Sequence, residues 1–368
     1  MENFRGNRGF RGIVKLRFCT IKRFLCQLGA TAPSMGDYPW WPEGIAERRD
    51  PSTFSEGVVR SKFGSIQFWD IEQVLNLDWW RKAPKGMFEW GFWPKEIEIS
   101  APIHDQSGFW MQLSKTYTAR VVPLLAGSDP SRFARYAPWS DCVQDLGIHL
   151  PVGGRLLNDS DAVLIYELQD PRLCTMEDSE VNHLVVQMAE IHSQLEKFAT
   201  PNAQTQWNNR LKSIEKTLKS HTLWRAPHTR STKGLPRINF NLDFLAEGKN
   251  GLSWIAVPFS VPDFVVCESE RLPSIGSLMR IERQWAKYTD LGLRERKKII
   301  DIWSSIVPAS WADQRSLSTV LGGAWIWRYN AVLEHLLDAR TYGDQRLERT
   351  SLDWLGEVSR LQARLGTL

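Results

Sequence analysis

The chain has 368 residues, 42% of them apolar, enough to bury the core of one large domain or two ordinary ones, and no apolar run approaches the roughly 18 to 20 residues needed to cross a bilayer. Cys19, Cys26, Cys142, Cys174 and Cys267 are odd in number and form no CxxC pair, which excludes a zinc finger and a paired disulfide framework and points to a reducing interior, nucleus or cytoplasm. The net charge of +4 is uneven: residues 1–35 carry +6 and the remainder −2, so the body offers no basic footprint for nucleic acid.

Residues 1–38 read as a basic arm. Over residues 1–35 its seven cations stand against Glu2 alone and are interrupted by Gly6, Gly9 and Gly12, which fits a disordered extension, a chain that starts properly at Met35, or a mitochondrial transit peptide. Residues 39–168 form a tryptophan-rich mixed α/β part, with nine of the eighteen tryptophans between Trp40 and Trp139. Indoles at that density either fill a core or build a flat surface for sugars or protein partners. Residues 36–58, with Pro39, Pro42 and Pro51, are expected to be irregular. After Gly64-Ser65, the spacing of Ile66, Phe68, Trp69, Ile71, Val74 and Leu75 predicts a short amphipathic helix. Aromatic and β-branched residues over 109–125 predict one or two strands ending at Pro123, and 162–168 another strand.

From 169 onward the chain is expected to be mostly helical. Val181, Leu184, Val185, Met188, Ile191, Leu195 and Phe198 make one apolar stripe with acids at its front. Further helices are predicted over 293–306, 315–339 and 349–365, the second apolar on nearly every side and hence central. Between them, Ile238, Phe240, Leu242 and Phe244 alternate with Asn239, Asn241 and Asp243, which predicts a strand with one apolar and one solvated polar face. Gly248 and Asn250-Gly251 supply the reversal, "LSWIAV" returns, and Pro258 and Pro262 lead the chain out of the sheet. The sum is an α+β protein with a mixed front half and a helical rear half around a hairpin within 236–266.

Chemistry-bearing motifs are sparse. His183 and His192 lie nine residues apart on one predicted helix, about 180° from each other, so they cannot share an ion; His192 borders the apolar stripe as a core histidine. There is no GxSxG elbow, no zinc-finger spacing and no basic region with heptads, so no metal, no cofactor and no direct DNA reading are expected.

The order of elements resembles the aminoglycoside phosphotransferase and choline kinase branch of the kinase-like fold, with "ARVVPLL" as the nucleotide-lysine strand, "VLIYELQD" as the hinge and "GLPRINFNLDFL" as the catalytic loop. The resemblance implies a bilobal fold over 97–340. It places Arg120 at the phosphate-binding lysine, Arg135 near the helix glutamate, Pro236 at the catalytic aspartate, Asn241 at the metal-binding asparagine and Ala256 at the metal-binding aspartate. Only Asn241 is chemically equal to its role, which implies a dead site.

A second resemblance is carried by "APHTRSTKGLP" and "VPFSVPDF": both look like the signature of the accessory mating-type proteins of filamentous ascomycetes, the Pro-Pro-Phe (His-Pro-Gly) class. Its positions would be Trp207, Trp224, His228, Gly234, Pro236, Pro258, Pro262 and Phe264. That resemblance implies a non-catalytic regulator of fruiting-body and ascospore formation, acting through other mating-type regulators.

Overall fold

The computed structural model describes residues 57–61, 64–68, 80, 89–100, 103–104, 109–123, 139–143, 145–157, 161–169, 178–200, 234–236, 238–248, 251–257, 271–288, 291–312, 324–342 and 345–365. The basic arm, Arg135, Trp207, Trp224, His228, Pro258, Pro262 and Phe264 lie outside these residues.

Strands β1 (Gly57–Ser61) and β2 (Gly64–Phe68) form an antiparallel pair, with Ser61 opposite Gly64. This corrects the expected helix at Ile66 and Phe68; the rest of that expectation, from Trp69 to Leu75, lies outside the described residues. Ile66 and Phe68 are also two apart, and Val58 and Val59 supply a β-branched partner strand, so pairing wins over the helical period.

Strands β3 (Glu89–Gly91), β4 (Ile103–His104), β5 (Phe109–Gln112) and β6 (Tyr117–Pro123) belong to a larger sheet. A short strand β7 (Ile148–His149) precedes its last two members, β8 (Pro151–Leu157) and β9 (Asp161–Glu167). The order is β3-β8-β9-β6-β5-β4, antiparallel at every step. Alternation sets two apolar faces. Met111, Ala119, Val163 and Ile165 pack with Trp80, Ile97 and Leu113 on one side, while Trp110, Leu164 and Tyr166 face the hairpin on the other. Strand β9 can therefore be apolar at successive positions, being covered on both faces.

The β3–β8 edge depends on Gly153. A Cβ there would strike the Phe92 backbone, which donates its N–H to the Val152 carbonyl at 2.9 Å. Gly153→Ala is expected to lower stability by about 1 to 3 kcal/mol in a urea melt, as overpacking against backbone does.

Helix α1 (Asp178–Gln194) continues as a 3-10 turn over Leu195–Phe198. Its predicted stripe is buried from Val181 to Leu195, with Phe198 half-buried against the same core. Strand β10 (Leu235–Pro236) pairs with β13 (Arg271–Leu272), and β11 (Leu245–Gly248) with β12 (Gly251–Ile255) in a hairpin; β12 then runs parallel to β7, with Trp254 opposite Ile148. The reversal falls where expected: Gly248 stands opposite Gly251, whose φ is 107°.

The first hairpin strand is shorter than its alternation suggests. Residues 238–244 are a buried loop, not a strand, because their backbone groups bond elsewhere. The Phe240 N–H reaches the Ile238 carbonyl at 3.0 Å, and the Leu242 N–H reaches Gln284 Oε1 at 2.9 Å. Ile238, Phe240 and Leu242 enter the helical core while Phe244 turns to the sheet, so the alternating apolar residues serve two cores.

Helices α2 (Ser274–Tyr288), α3 (Leu293–Ile306), α4 (Ala324–Tyr342) and α5 (Gln345–Leu365) complete the rear. Helix α3 has the predicted bounds and α5 begins four residues earlier than predicted; α4 spans 324–342 in place of 315–339, residues 315–323 of that prediction lying outside the described set. As expected, α4 is central: it packs against α2 and α5, and every side chain from Trp327 to Leu336 is buried. The protein is thus α+β, with sheets in front and helices behind. No helix among the described residues is long and apolar enough to cross a membrane.

Candidate functional site

The seam between the six-stranded sheet and the hairpin holds two of the residues that the kinase-like resemblance singles out, Arg120 and Ala256. Its centre is Arg120, in the middle of β6 and fully buried. Trp110 stands directly opposite it on β5, since the tight Ser114–Thr116 turn brings the two strands into register. The Arg120 guanidinium carbon lies 4.8 Å from the Trp110 ring centroid and 4.5 Å from that of Phe244, so an indole and a phenyl ring box the cation. Trp110 also packs against Tyr166 and Phe244, with centroids 5.5 and 6.2 Å apart.

Tyr166 closes the seam from β9. Its hydroxyl donates to the Ala256 carbonyl at 2.7 Å, and Ala256 in turn donates its N–H to the His149 carbonyl at 2.9 Å. Ala256 thus joins the sheet to β7 through its backbone, with a methyl group where the resemblance calls for a metal-binding carboxylate. Burial lowers the His149 imidazole pKa, against the opposing pull of Glu167.

Asn241 and Asp243 sit on the loop before β11, both half-buried, and Asn239 is buried at 5% exposure. The solvated polar face expected of these three residues is therefore corrected for Asn239, where the loop is tucked against α2. Asn241 Oδ1 accepts the Asp243 N–H at 2.8 Å and the Asn241 carbonyl accepts the Phe244 N–H at 2.9 Å, an Asx-type turn. One lone pair of the carboxamide oxygen that would ligate a metal is engaged in shaping its own loop.

Pro236 is buried within β10, opposite Arg271, and Gly234 exchanges backbone hydrogen bonds with Thr200 at 2.9 and 3.0 Å. Gly234 and Pro236 therefore serve a small ladder under α1, away from the Arg120 seam in hydrogen bonding. His192 is a core histidine as expected: Trp303 Nε1 donates to its Nδ1 at 3.2 Å, Phe240 meets it edge-on at 5.3 Å, and burial lowers its pKa to about 3. His183 instead meets Gln187 at 3.0 Å. Among the described residues no three His, Cys, Asp or Glu side chains gather to hold a metal ion.

Of the tryptophans whose side chains are described, none is exposed; Trp80, Trp110, Trp254, Trp285, Trp303, Trp311 and Trp327 are buried. Within that set the indoles fill cores. The aromatic box was hidden in the sequence, although the Trp110 and Arg120 pairing could have been read by centring a hairpin on "LSKTY". A buried ionic cluster was missed as well. Glu282 accepts from Arg296 Nη1 at 2.8 Å and from Arg328 Nη2 at 2.7 Å, and all three side chains are buried.

No family model matches the chain, and no curated protein matches it. Solved structures similar to it include the GDP complex of wild-type aminoglycoside 2'-phosphotransferase-IIIa, at 11% identity and TM-score 0.46 over 72% of this chain and 94% of that one. Glucosamine kinase is similar at 12% identity and TM-score 0.45, over 93% of this chain and 98% of that one. A thermostable aminoglycoside phosphotransferase APH(4)-Ia mutant, in ternary complex with AMP-PNP and hygromycin B, is similar at 11% identity and TM-score 0.45, over 77% and 97%. At such identities and scores these likenesses carry over no residue roles.

Proposed function

We propose that this chain is a degenerate kinase-like small-molecule phosphotransferase, which no longer transfers phosphoryl groups and acts by binding. The observation that carries the reading is the Arg120 box. Phosphoryl transfer needs a cation free to meet phosphate oxygens, a carboxylate for the acceptor hydroxyl, and Asn and Asp ligands for magnesium. Here the cation is held between Trp110 and Phe244, Pro236 and Ala256 have no carboxylate to offer, and Asn241 Oδ1 is engaged by the Asp243 N–H. A guanidinium between two aromatic faces would have to leave both to reach a nucleotide.

Magnesium-dependent stabilisation by ATP tests this directly. A thermal melt is expected to be unmoved by adding magnesium to an ATP-containing sample. A saturable, magnesium-dependent rise that Asn241→Ala abolishes would return the chain to the active phosphotransferases.

The accessory mating-type reading rests on sequence signature alone. It is compatible with a non-catalytic body and with protein partners among other mating-type regulators, in nucleus or cytoplasm. A source organism with no sexual cycle, or normal fruiting bodies and ascospores after deletion of the gene, would remove it.

A further inference from the structure

The helical rear carries a cation that the seam does not use. Arg283, on α2, is 1% exposed, and its Nε, Nη1 and Nη2 all lack a hydrogen-bond partner. Its guanidinium carbon lies 4.4 Å from the ring centroid of Trp354 on α5. Arg296 of α3 approaches the same ring at 4.8 Å, so one indole bears two like charges.

The neighbouring carboxylate cannot serve Arg283 as well. Glu282 Oε1 accepts from Arg296 Nη1 at 2.8 Å and Arg328 Nε at 2.9 Å, and Oε2 accepts from Arg328 Nη2 at 2.7 Å. Two guanidiniums thus occupy this carboxylate, and the charge beside Arg283 is the like charge of Arg296. The other buried acid of this region, Glu334, faces Arg280 at 3.9 Å and Asn330 at 3.0 Å. Asp353 and Glu357, the acids nearest Trp354 in sequence, are exposed.

Burying an arginine without a partner is costly, because neither its charge nor its N–H groups are compensated for the water they lose. Burial, and then the Arg296 cation, lower the Arg283 pKa to about 10, which leaves it charged at neutral pH. One turn before Trp354, Ser351 is also fully buried, and its Oγ has no partner either. Trp354 itself is half-buried, so its ring forms the boundary between this cluster and solvent.

We propose that Arg283, with Arg296 behind Trp354, is a binding site for a phosphoryl oxyanion, either inorganic phosphate or a phosphate monoester. A planar guanidinium presents its N–H groups as a fork that matches phosphate oxygens. A phosphate carrying close to two negative charges at pH 7 can answer both cations that meet the Trp354 ring, Arg283 and Arg296, more strongly than a monoanionic carboxylate can. The site lies among α2, α3 and α5, and it shares no residue with the Arg120 box.

The test is titration of the full chain with inorganic phosphate and with phenyl phosphate, followed by calorimetry and by phosphorus NMR line width. Saturable one-to-one binding that weakens at higher salt is expected. A tighter response to phenyl phosphate assigns an ester as the natural ligand, and an equal response assigns the free anion. Arg283→Met should weaken binding at least tenfold, while its phosphate-free melting temperature equals or exceeds that of the natural chain, because removing an unpartnered buried cation relieves a cost. A residue needed for packing alone would lower it. If Arg283→Met fails to fold, Arg283→Lys, which keeps the charge but not the fork, should bind several-fold more weakly.

Absence of saturable binding by either probe, undiminished binding by a folded Arg283 variant, or preference for acetate over phosphate would overturn the proposal. A response to ATP that inorganic phosphate reproduces without magnesium and Arg283→Met removes belongs to this site. One that needs magnesium and Asn241 belongs to the seam, so the two proposals fail separately.

Discussion

Glu282→Gln should destabilise the protein by about 3 to 5 kcal/mol, a large part of the 5 to 15 kcal/mol by which typical domains are stable. Desolvation alone would raise the pKa of this fully buried carboxylate, but Arg328 and then Arg296 outweigh it through charge and hydrogen bonds, so Glu282 stays ionised below the usual range. An amide of the same shape keeps some of the hydrogen bonds and removes the charge. Arg328 and Arg296 would then be buried without the carboxylate that now answers both, and Arg283 would still face the Arg296 cation. Urea denaturation should report the loss in phosphate-free buffer, and adding Arg283→Met to Glu282→Gln should recover part of it, since the two changes act on one charge cluster. A loss below about 1 kcal/mol, or strict additivity of the two changes, would mean that water reaches the cluster.

His192 should make the protein acid-sensitive over a defined window. Its imidazole ordinarily titrates at 6.5, and burial lowers it to about 3 in the folded chain. The Trp303 N–H points at Nδ1, so the folded state holds the neutral tautomer protonated at Nε2. The folded pKa lies below the unfolded one, and the unfolded chain therefore takes up the proton first as pH falls. The contribution of the neutral ring is fully present above about pH 6.5 and is lost progressively towards pH 3, reaching roughly 5 kcal/mol at the lower end. His192→Gln offers Trp303 another acceptor without a titrating ring. The stability difference between the natural chain and this variant should shrink as pH is lowered from 7 to 4, His149 being common to both and cancelling from it. A difference that stays constant with pH would show that His192 takes up its proton in the folded chain at the same pH as in the unfolded one.

Elements with a single clean period were legible in the sequence. The stripe from Val181 to Leu195 specified α1, the apolar surround of 327–336 specified a central helix, and Gly251 marked the turn. Two kinds of element were obscured. In α2 the charged residues Glu282 and Arg283 lie inside, beside Ile281 and Trp285, so its buried side does not read as apolar. In β8, Gly153 and Gly154 resemble a loop, although Gly153 is required by the close approach of Phe92. Residues 238–244 failed in the opposite direction: their alternation was perfect, but Gln284 and Asn241 captured the amides that a strand would have needed for its ladder.

The site was legible as residue types and not as geometry. Arg120, Pro236, Asn241 and Ala256 could be named from element order. The decisive contacts of Arg120 come from Trp110 on a neighbouring strand and from Phe244, more than a hundred residues away in the chain. Local spacing carries no information about the second contact. Arg283 was invisible for the same reason: a charged residue at one position of a helix reads as solvated until its neighbours bury it.

A crystal structure grown with millimolar magnesium and a non-hydrolysable ATP analogue is the most direct test of the central claim, that the aromatic box has replaced the nucleotide site. The guanidinium of Arg120 should remain between Trp110 and Phe244, with Tyr166 still bonded to the Ala256 carbonyl and no nucleotide in the seam. Density for the analogue between the sheet and the hairpin, with Arg120 swung out to its phosphates or Asn241 ligating magnesium, would contradict the account.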